Sequence, residues 1–144
     1  GYISALNCII AVLITPVVIR INRHRHIFTH FTFALLLYGV AYIIYGFTTC
    51  LPVIIVTIVI WTWGETISSV YFNAFIARQE PATIRTQLYA AVPVLLTLGR
   101  VIGVPFVTVA LKYRGYSSAW LSLAFIAFAG IFMIYVLRSK FTRA

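Results

Sequence analysis

The sequence carries very little negative charge: it has no aspartate, and its two acidic residues are Glu65 and Glu80. Ser-His-Asp triads, paired-aspartate proteases and Asp-ligated magnesium sites each need a carboxylate that this chain lacks. The sequence also offers no nucleophile beside a base and no cluster of metal ligands. We therefore expect no enzyme, no cofactor and no metal site. The two cysteines, Cys8 and Cys50, have no metal-ligand spacing, and we expect them to be buried thiols.

Charge of either sign is scarce, and apolar residues dominate. Charged residues make up 9% of the 144 residues and hydrophobic residues 62%, whereas a soluble chain is about 25% charged. Five apolar runs, each long enough to cross a bilayer core of about 30 Å, cover residues 1–19, 28–49, 51–77, 86–111 and 119–137. We predict an all-α, polytopic membrane bundle of five transmembrane helices forming a single domain over residues 1–144. Because the sequence begins at Gly1 and not at a methionine, we expect it to be truncated at its N-terminus.

The net charge of +9 has a topological interpretation. Cytoplasmic loops of membrane proteins are rich in lysine and arginine. Eight of the eleven basic residues fall on one side of the predicted spans: Arg20, Arg23, Arg25, Arg78, Arg85, Arg138, Lys140 and Arg143. This distribution predicts a cytoplasmic C-terminus and does not indicate nucleic-acid binding. The histidines His24, His26 and His30 lie in or beside a basic loop, and we expect them to be solvated.

Glu65 is the most informative residue, because it lies near the middle of the third predicted span. It is about 20 Å from the cytoplasmic end of that span by helical rise. A carboxylate at that depth is costly unless it faces a bundle interior, a cavity or a partner, and intramembrane acids often line transport paths. In a hairpin of spans three and four, Arg100 has nearly the same depth, with an offset of about 3 Å. We predict that Glu65 couples protons or substrate, with Arg100 as its possible counter-ion. Alternatively, Glu65 only cross-links helices, and Arg100 extends toward the external interface.

Residues at helical spacing around Glu65 form a candidate wall for a substrate cavity. Trp61, Ser69 (or Ser68), Phe72 and Asn73 share this stripe, which would suit an amphipathic or cationic organic substrate. Simple packing against a neighbouring helix is the alternative. Further candidates of the same kind are Asn7, Tyr38, Tyr42 and Tyr45. Aromatic residues near the span ends fit an interfacial belt, with packing as the alternative for each: Phe28, Tyr113, Tyr116 and Trp120.

The fourth span contains several residues that shape helices. Gly99 and Gly103 form a GxxxG pattern, which permits close helix packing, and Pro93 and Pro105 are expected to bend the helix. In a transporter this combination would form a bending or rocking element.

Three sequence features together resemble the C-terminal half of a major facilitator superfamily transporter. They are Gly64-Glu65 late in a span, a loop with Arg78, Pro81 and Arg85, and a following helix with Gly99, Gly103 and Pro105. The resemblance is strongest to the proton-linked drug and sugar efflux group, and the five spans are similar to helices eight to twelve. The antiporter motif of that family has adjacent glycine and proline, whereas here Val104 separates Gly103 from Pro105.

The resemblance implies a function and a set of partners. It implies a secondary active transporter of small organic solutes or drugs, coupled to protons, operating by antiport and alternating access in the plasma (inner) membrane. The expected partners are the lipid bilayer, a small-molecule substrate, protons and the remaining N-terminal half of the same transporter. A non-catalytic structural or assembly subunit, a small membrane enzyme, and a peptide or sugar transporter of the same superfamily are the alternatives.

Overall fold

Five α-helices make up the folded chain. The computed structural model describes residues 2–21, 27–79 and 81–141. Over these ranges the chain forms no β-strand, and its helices are α1 (Tyr2–Ile21), α2 (Ile27–Phe47), α3 (Leu51–Ala77), α4 (Ala82–Arg114) and α5 (Tyr116–Phe141). The all-α prediction is confirmed. Several residues named above fall, wholly or by their side chains, outside the described residues: Arg23, His24, Arg25, His26, Glu80, Arg138, Lys140 and Arg143.

Most of the described helices are long and apolar enough to cross a membrane. Four meet this condition: α2, α3, α4 and the Tyr116–Val136 part of α5. In α1 the apolar stretch within the described residues is Asn7–Arg20. Because helices of this length and composition match a hydrocarbon core of about 30 Å, the chain is an integral membrane protein.

Proline and glycine set the ends of the longest helix. Pro81, in an extended conformation, precedes α4, and its carbonyl accepts a hydrogen bond from the N–H of Ile84 at 3.0 Å. Gly115 ends α4 with a positive φ of 83°, and its N–H donates to the carbonyl of Leu111 at 3.2 Å. A positive φ is readily accessible only to glycine, so a single residue separates α4 from α5. Helix α4 therefore extends beyond the predicted 86–111 at both ends.

The helices pack in a row with α2 near its centre. Helix α2 contacts α3 on one side and α5 on the other, α1 packs on α3, and α4 packs on α5 with only slight contact to α3. Val18, Ala34 and Ile67 form a buried apolar cluster where α1, α2 and α3 meet. No residue of α4 is buried, so this helix lies at the edge of the bundle.

Two glycines allow helices to approach closely. A Cβ atom at Gly64 in α3 would lie 3.1 Å from the carbonyl oxygen of Ala34 in α2. At Gly39 in α2, a Cβ atom would lie 2.9 Å from Cζ of Phe128 in α5. The backbone contact at Gly64 leaves no room for a larger side chain and sets the close approach of α2 and α3, whereas the atom nearest Gly39 is the outer end of the Phe128 ring, a side chain that can shift.

Candidate functional site

Glu65 belongs to a polar cluster that joins α1 to α3. The Nδ2 atom of Asn7 donates a hydrogen bond to Oε2 of Glu65 at 3.3 Å. The hydroxyl of Thr62 lies within hydrogen-bond distance of Oδ1 of Asn7 and also of the carbonyl of Ile58, the latter at 2.7 Å. At about 100° per residue, Glu65 and Thr62 lie about 60° apart around α3, so one amide can reach both. The cluster is an asparagine bridge between a carboxylate and a hydroxyl.

An aromatic cluster lies beside this bridge. It comprises six rings from three helices: Tyr38, Tyr42 and Tyr45 of α2, Trp61 of α3, and Tyr116 and Trp120 of α5. The closest pair is Tyr45 and Trp120, with ring centroids 4.9 Å apart, and Trp61 meets Tyr42 edge to face at 5.6 Å. Tyr38 and Tyr42 are also near enough to Glu65 to interact electrostatically with its carboxylate. The acid therefore lies close to two tyrosines of the aromatic cluster.

An open cavity of about 820 Å³ separates α4 from the aromatic cluster. Tyr42 and Trp61 line it from α2 and α3, Leu123 lines it from α5, and Arg100 lies on its α4 wall. The remaining lining residues all belong to α4: Leu95, Leu96, Gly99, Gly103, Val104, Val107 and Thr108. Arg100 is its one charged lining residue, and the volume falls in the range of about 300–1,000 Å³ typical of small-molecule sites.

The structure does not bring Glu65 and Arg100 together as an ion pair. Within the described ranges, the hydrogen-bond partner of the Glu65 carboxylate is Asn7, and Glu65 is not among the residues that line the cavity around Arg100. Arg100 itself makes no hydrogen bond or ion pair with any described residue. Glu65 and Arg100 therefore lie at similar depths, but their side chains face different surroundings.

Only part of the predicted cavity stripe lines the cavity. Trp61 does so, whereas Ser69, Phe72 and Asn73 do not. Phe72 meets Phe31 of α2 edge to face at 6.1 Å, and the backbone carbonyl of Asn73 accepts a hydrogen bond from the hydroxyl of Tyr89 at 3.4 Å. Phe72 therefore takes part in packing between α2 and α3, which is the alternative left open for this stripe.

The helix-shaping residues of α4 have roles different from the expected ones. Gly99 and Gly103 meet no atom within 4 Å of a would-be Cβ, so they do not mediate close helix packing among the described residues; they line the cavity. Helix α4 continues through Pro93 and Pro105, each of which removes one backbone hydrogen bond. In the loop motif, Pro81 precedes α4, Arg78 follows α3, and Arg85 lies in the first turn of α4, with both arginines exposed.

Two interpretations from the sequence need correction. His30 is buried, with 3% of its surface exposed, and its ring stacks on Tyr71 with centroids 3.7 Å apart, so it is not a solvated loop residue. Cys8 and Cys50 are exposed, not buried. Trp120 and Tyr116 contact each other in the aromatic cluster, with ring centroids 5.9 Å apart, and their place in an interfacial belt stays a prediction. The described residues contain no group of histidine, cysteine and acidic side chains that could hold a metal ion.

Two features of the site carry recognisable signals in the sequence. Tyr38, Tyr42 and Tyr45 recur at intervals of four and three residues, which places them on one face of α2. Asn7 is an amide inside an apolar run, and in a membrane such a group needs a polar partner on another helix. By contrast, no periodicity indicated Thr62, because threonine in a membrane helix commonly bonds its own backbone.

No protein-family model, no characterised protein sequence and no solved structure matches this chain.

Proposed function

We propose that the chain is part of a secondary active transporter that moves small organic solutes or drugs through a membrane. The transport is coupled to protons and proceeds by alternating access, as in the major facilitator superfamily. The observation that carries the proposal is the Glu65 carboxylate in the middle of a membrane helix, bonded to an amide from α1 and adjacent to the aromatic cluster.

The chemistry of the asparagine bridge suits a carboxylate that exchanges a proton. An asparagine side chain presents a donor and an acceptor on the two ends of one amide. It can therefore donate to an ionised Glu65 and, after the amide flips by about 180°, accept from a protonated one. A lysine or arginine in its place would favour only the ionised form. Proton transfer at Glu65 would then change the bond that joins α1 to α3, which links protonation to the relative position of two helices.

Substitution of Glu65 in the intact protein tests this role. The protein is reconstituted in vesicles that enclose a pH-sensitive dye and is exposed to a panel of small organic solutes. We expect at least one solute to drive proton movement, and Glu65→Gln to abolish that movement while downhill solute exchange persists. The same substitution at the other acidic residue, Glu80→Gln, is the matched control and should leave proton movement intact. Proton movement that survives Glu65→Gln would exclude the proposed role.

The exposed edge of the bundle favours a second candidate function. Although α4 packs on α5, none of its residues is buried, so it offers much of its surface to lipid or to other membrane helices, as in a structural or assembly subunit. Such a subunit would respond to no solute in the vesicle assay. A peptide or sugar transporter would respond to those solute classes only.

The proposed location is the plasma (inner) membrane with the C-terminus in the cytoplasm. Among the described helices, Arg20 lies in the last turn of α1, and Arg78 and Arg85 flank the link between α3 and α4. The positive-inside rule places these ends in the cytoplasm. Lys112 and Arg114, in the last turn of α4, are the described exceptions.

A further inference from the structure

We propose that the cavity beside α4 binds an organic anion with a flat aromatic body. This inference rests on the proposed transport function and gives its substrate class. Its starting point is Arg100, which brings a permanent positive charge to the cavity wall at a depth where the surrounding helices are apolar. Among the described residues Arg100 has no partner, and a guanidinium at membrane depth is normally paired.

The sign of the ligand follows from which charged residue faces the cavity. Glu65 is directed to Asn7 and is not a lining residue, so its charge does not neutralise Arg100 there. A cationic ligand would meet an uncompensated like charge in a medium that screens poorly, whereas a carboxylate could form two parallel hydrogen bonds with the guanidinium. The cationic substrate expected from the sequence stripe is therefore not the one this cavity favours.

The shape of the ligand follows from the opposite wall. Trp61 and Tyr42 present rings edge to face at 5.6 Å, and Leu123 adds apolar surface from α5. Flat rings pack favourably in offset or edge-to-face arrangements against such a wall. On the α4 side, Gly99 and Gly103 leave open space where side chains would otherwise project. The cavity thus pairs one cationic anchor with an aromatic wall and room for a ring system between them.

Equilibrium binding in the absence of any gradient tests the inference. The intact protein is placed in nanodiscs of zwitterionic lipid, and binding of tritiated 2-naphthoate is measured against protein-free nanodiscs. Two analogues of the same shape compete: neutral 2-naphthalenemethanol and cationic 2-naphthylmethylammonium. We expect 2-naphthoate to bind, and the neutral and cationic analogues to require at least about tenfold higher concentrations to displace it.

Variants on α4 locate the site. Arg100→Gln should weaken 2-naphthoate binding by about tenfold or more, and Arg100→Lys should weaken it less because charge is kept but the planar fork is lost. Lys112→Gln removes the same charge from the same helix outside the cavity and should leave the affinity unchanged. Gly103→Leu fills the cavity at a position where its Cβ meets no atom within 4 Å and should also weaken binding. If Arg100→Gln fails to fold, the contrast between Gly103→Leu, Arg100→Lys and Lys112→Gln still decides the matter.

The outcomes separate this inference from the proposed transport. The proposal of an anion site would be overturned by any of three results. These are no binding of 2-naphthoate, equal competition by the cationic analogue, or an affinity for 2-naphthoate that is unchanged in both Arg100→Gln and Gly103→Leu. Because no gradient is present, none of these results depends on proton movement. Conversely, proton movement that persists in Glu65→Gln vesicles would overturn the coupling role of Glu65. It would not affect 2-naphthoate binding that depends on Arg100.

Discussion

The side chain of Asn7 in α1 donates a hydrogen bond to the carboxylate of Glu65 in α3, with Nδ2 and Oε2 3.3 Å apart. The Oδ1 atom of the same amide lies within hydrogen-bond distance of the Thr62 hydroxyl. Asn7 of α1 therefore contacts two polar side chains of α3. Hydrogen bonds between membrane helices contribute about 0.6 to 2 kcal/mol each. The hydrogen bond between Asn7 and Glu65 therefore contributes to the packing of α1 on α3, and a bond of this strength can change when Glu65 gains or loses a proton.

Replacing Asn7 by alanine should loosen α1 from α3. We expect Asn7→Ala to lower the free energy of unfolding by about 1–2 kcal/mol, because the carboxylate of Glu65 loses its donor. Unfolding in a mixed detergent series, followed by circular dichroism, measures the change. Thr15→Val in the same helix is the control, since the Thr15 hydroxyl bonds only the carbonyl of Ala11, at 2.7 Å. Equal stability of Asn7→Ala and the parent would show that the bridge contributes nothing.

Glycine substitutions should separate close packing from cavity lining. Gly64→Ala introduces a Cβ 3.1 Å from the carbonyl oxygen of Ala34, so α2 and α3 must move apart, at a cost of about 1–3 kcal/mol. Gly103→Ala meets nothing within 4 Å and gains helix propensity, so it should be neutral or slightly stabilising. Thermal unfolding of the two variants measures the contrast. A larger loss in Gly103→Ala than in Gly64→Ala would restore the GxxxG interpretation of α4.

A double-mutant cycle should show no coupling between Glu65 and Arg100. Because the two groups face different surroundings, the effects of Glu65→Gln and Arg100→Gln on unfolding free energy should add within about 0.5 kcal/mol. Chemical denaturation of the single and double variants gives the interaction energy. A coupling above about 1 kcal/mol would mean that the two charges meet after all.

The depth of functional residues could be predicted from the sequence, but their direction could not. Continuous apolar runs set the spans, and the predicted third run, 51–77, coincides with α3 (Leu51–Ala77). Helical rise also placed Glu65 and Arg100 at similar depths. Rise contains no information on rotation about each helix axis relative to its neighbours, and that rotation directs Glu65 to α1 and Arg100 to the cavity.

Packing between distant helices was equally hidden from local patterns. The GxxxG of α4 has a recognisable spacing, yet close approach occurs at Gly39 and Gly64, which have no such pattern. Close approach depends on which helices become neighbours, here α2 with α3 and α5. Likewise, the sequence around Trp120 does not reveal that Tyr45 of α2 lies beside it.

Cysteine labelling should establish the proposed orientation. Cys50 is exposed and lies between α2 and α3, at the end predicted to be external. In a Cys8→Ser background, a membrane-impermeant maleimide should label Cys50 in intact cells. In a cysteine-free background, Arg78→Cys should be labelled only after the cells are permeabilised. The reverse pattern would place the C-terminus outside the cytoplasm.

The aromatic cluster should make Trp120 more important for stability than Trp63. Trp120 contacts Tyr45 at 4.9 Å, Tyr42 at 6.0 Å and Tyr116 at 5.9 Å between ring centroids, whereas Trp63 has no ring contact among the described residues and is 36% exposed. Aromatic pairs contribute about 0.5–1.5 kcal/mol beyond burial. Trp120→Leu should therefore cost about 1–3 kcal/mol by circular dichroism in a detergent unfolding series, and Trp63→Leu less than about 0.5 kcal/mol.

A double-mutant cycle between Trp120 and Tyr45, its nearest ring, distinguishes a specific ring contact from the general effect of losing side-chain size. Tyr45→Leu and Trp120→Leu should together cost less than the sum of the single changes by about 0.5–1.5 kcal/mol, because the second change removes a pair already broken. Trp63→Leu combined with Tyr45→Leu is the matched cycle and should be additive. Additivity in both cycles would mean that α2 and α5 are held together by apolar area and not by the rings of the aromatic cluster.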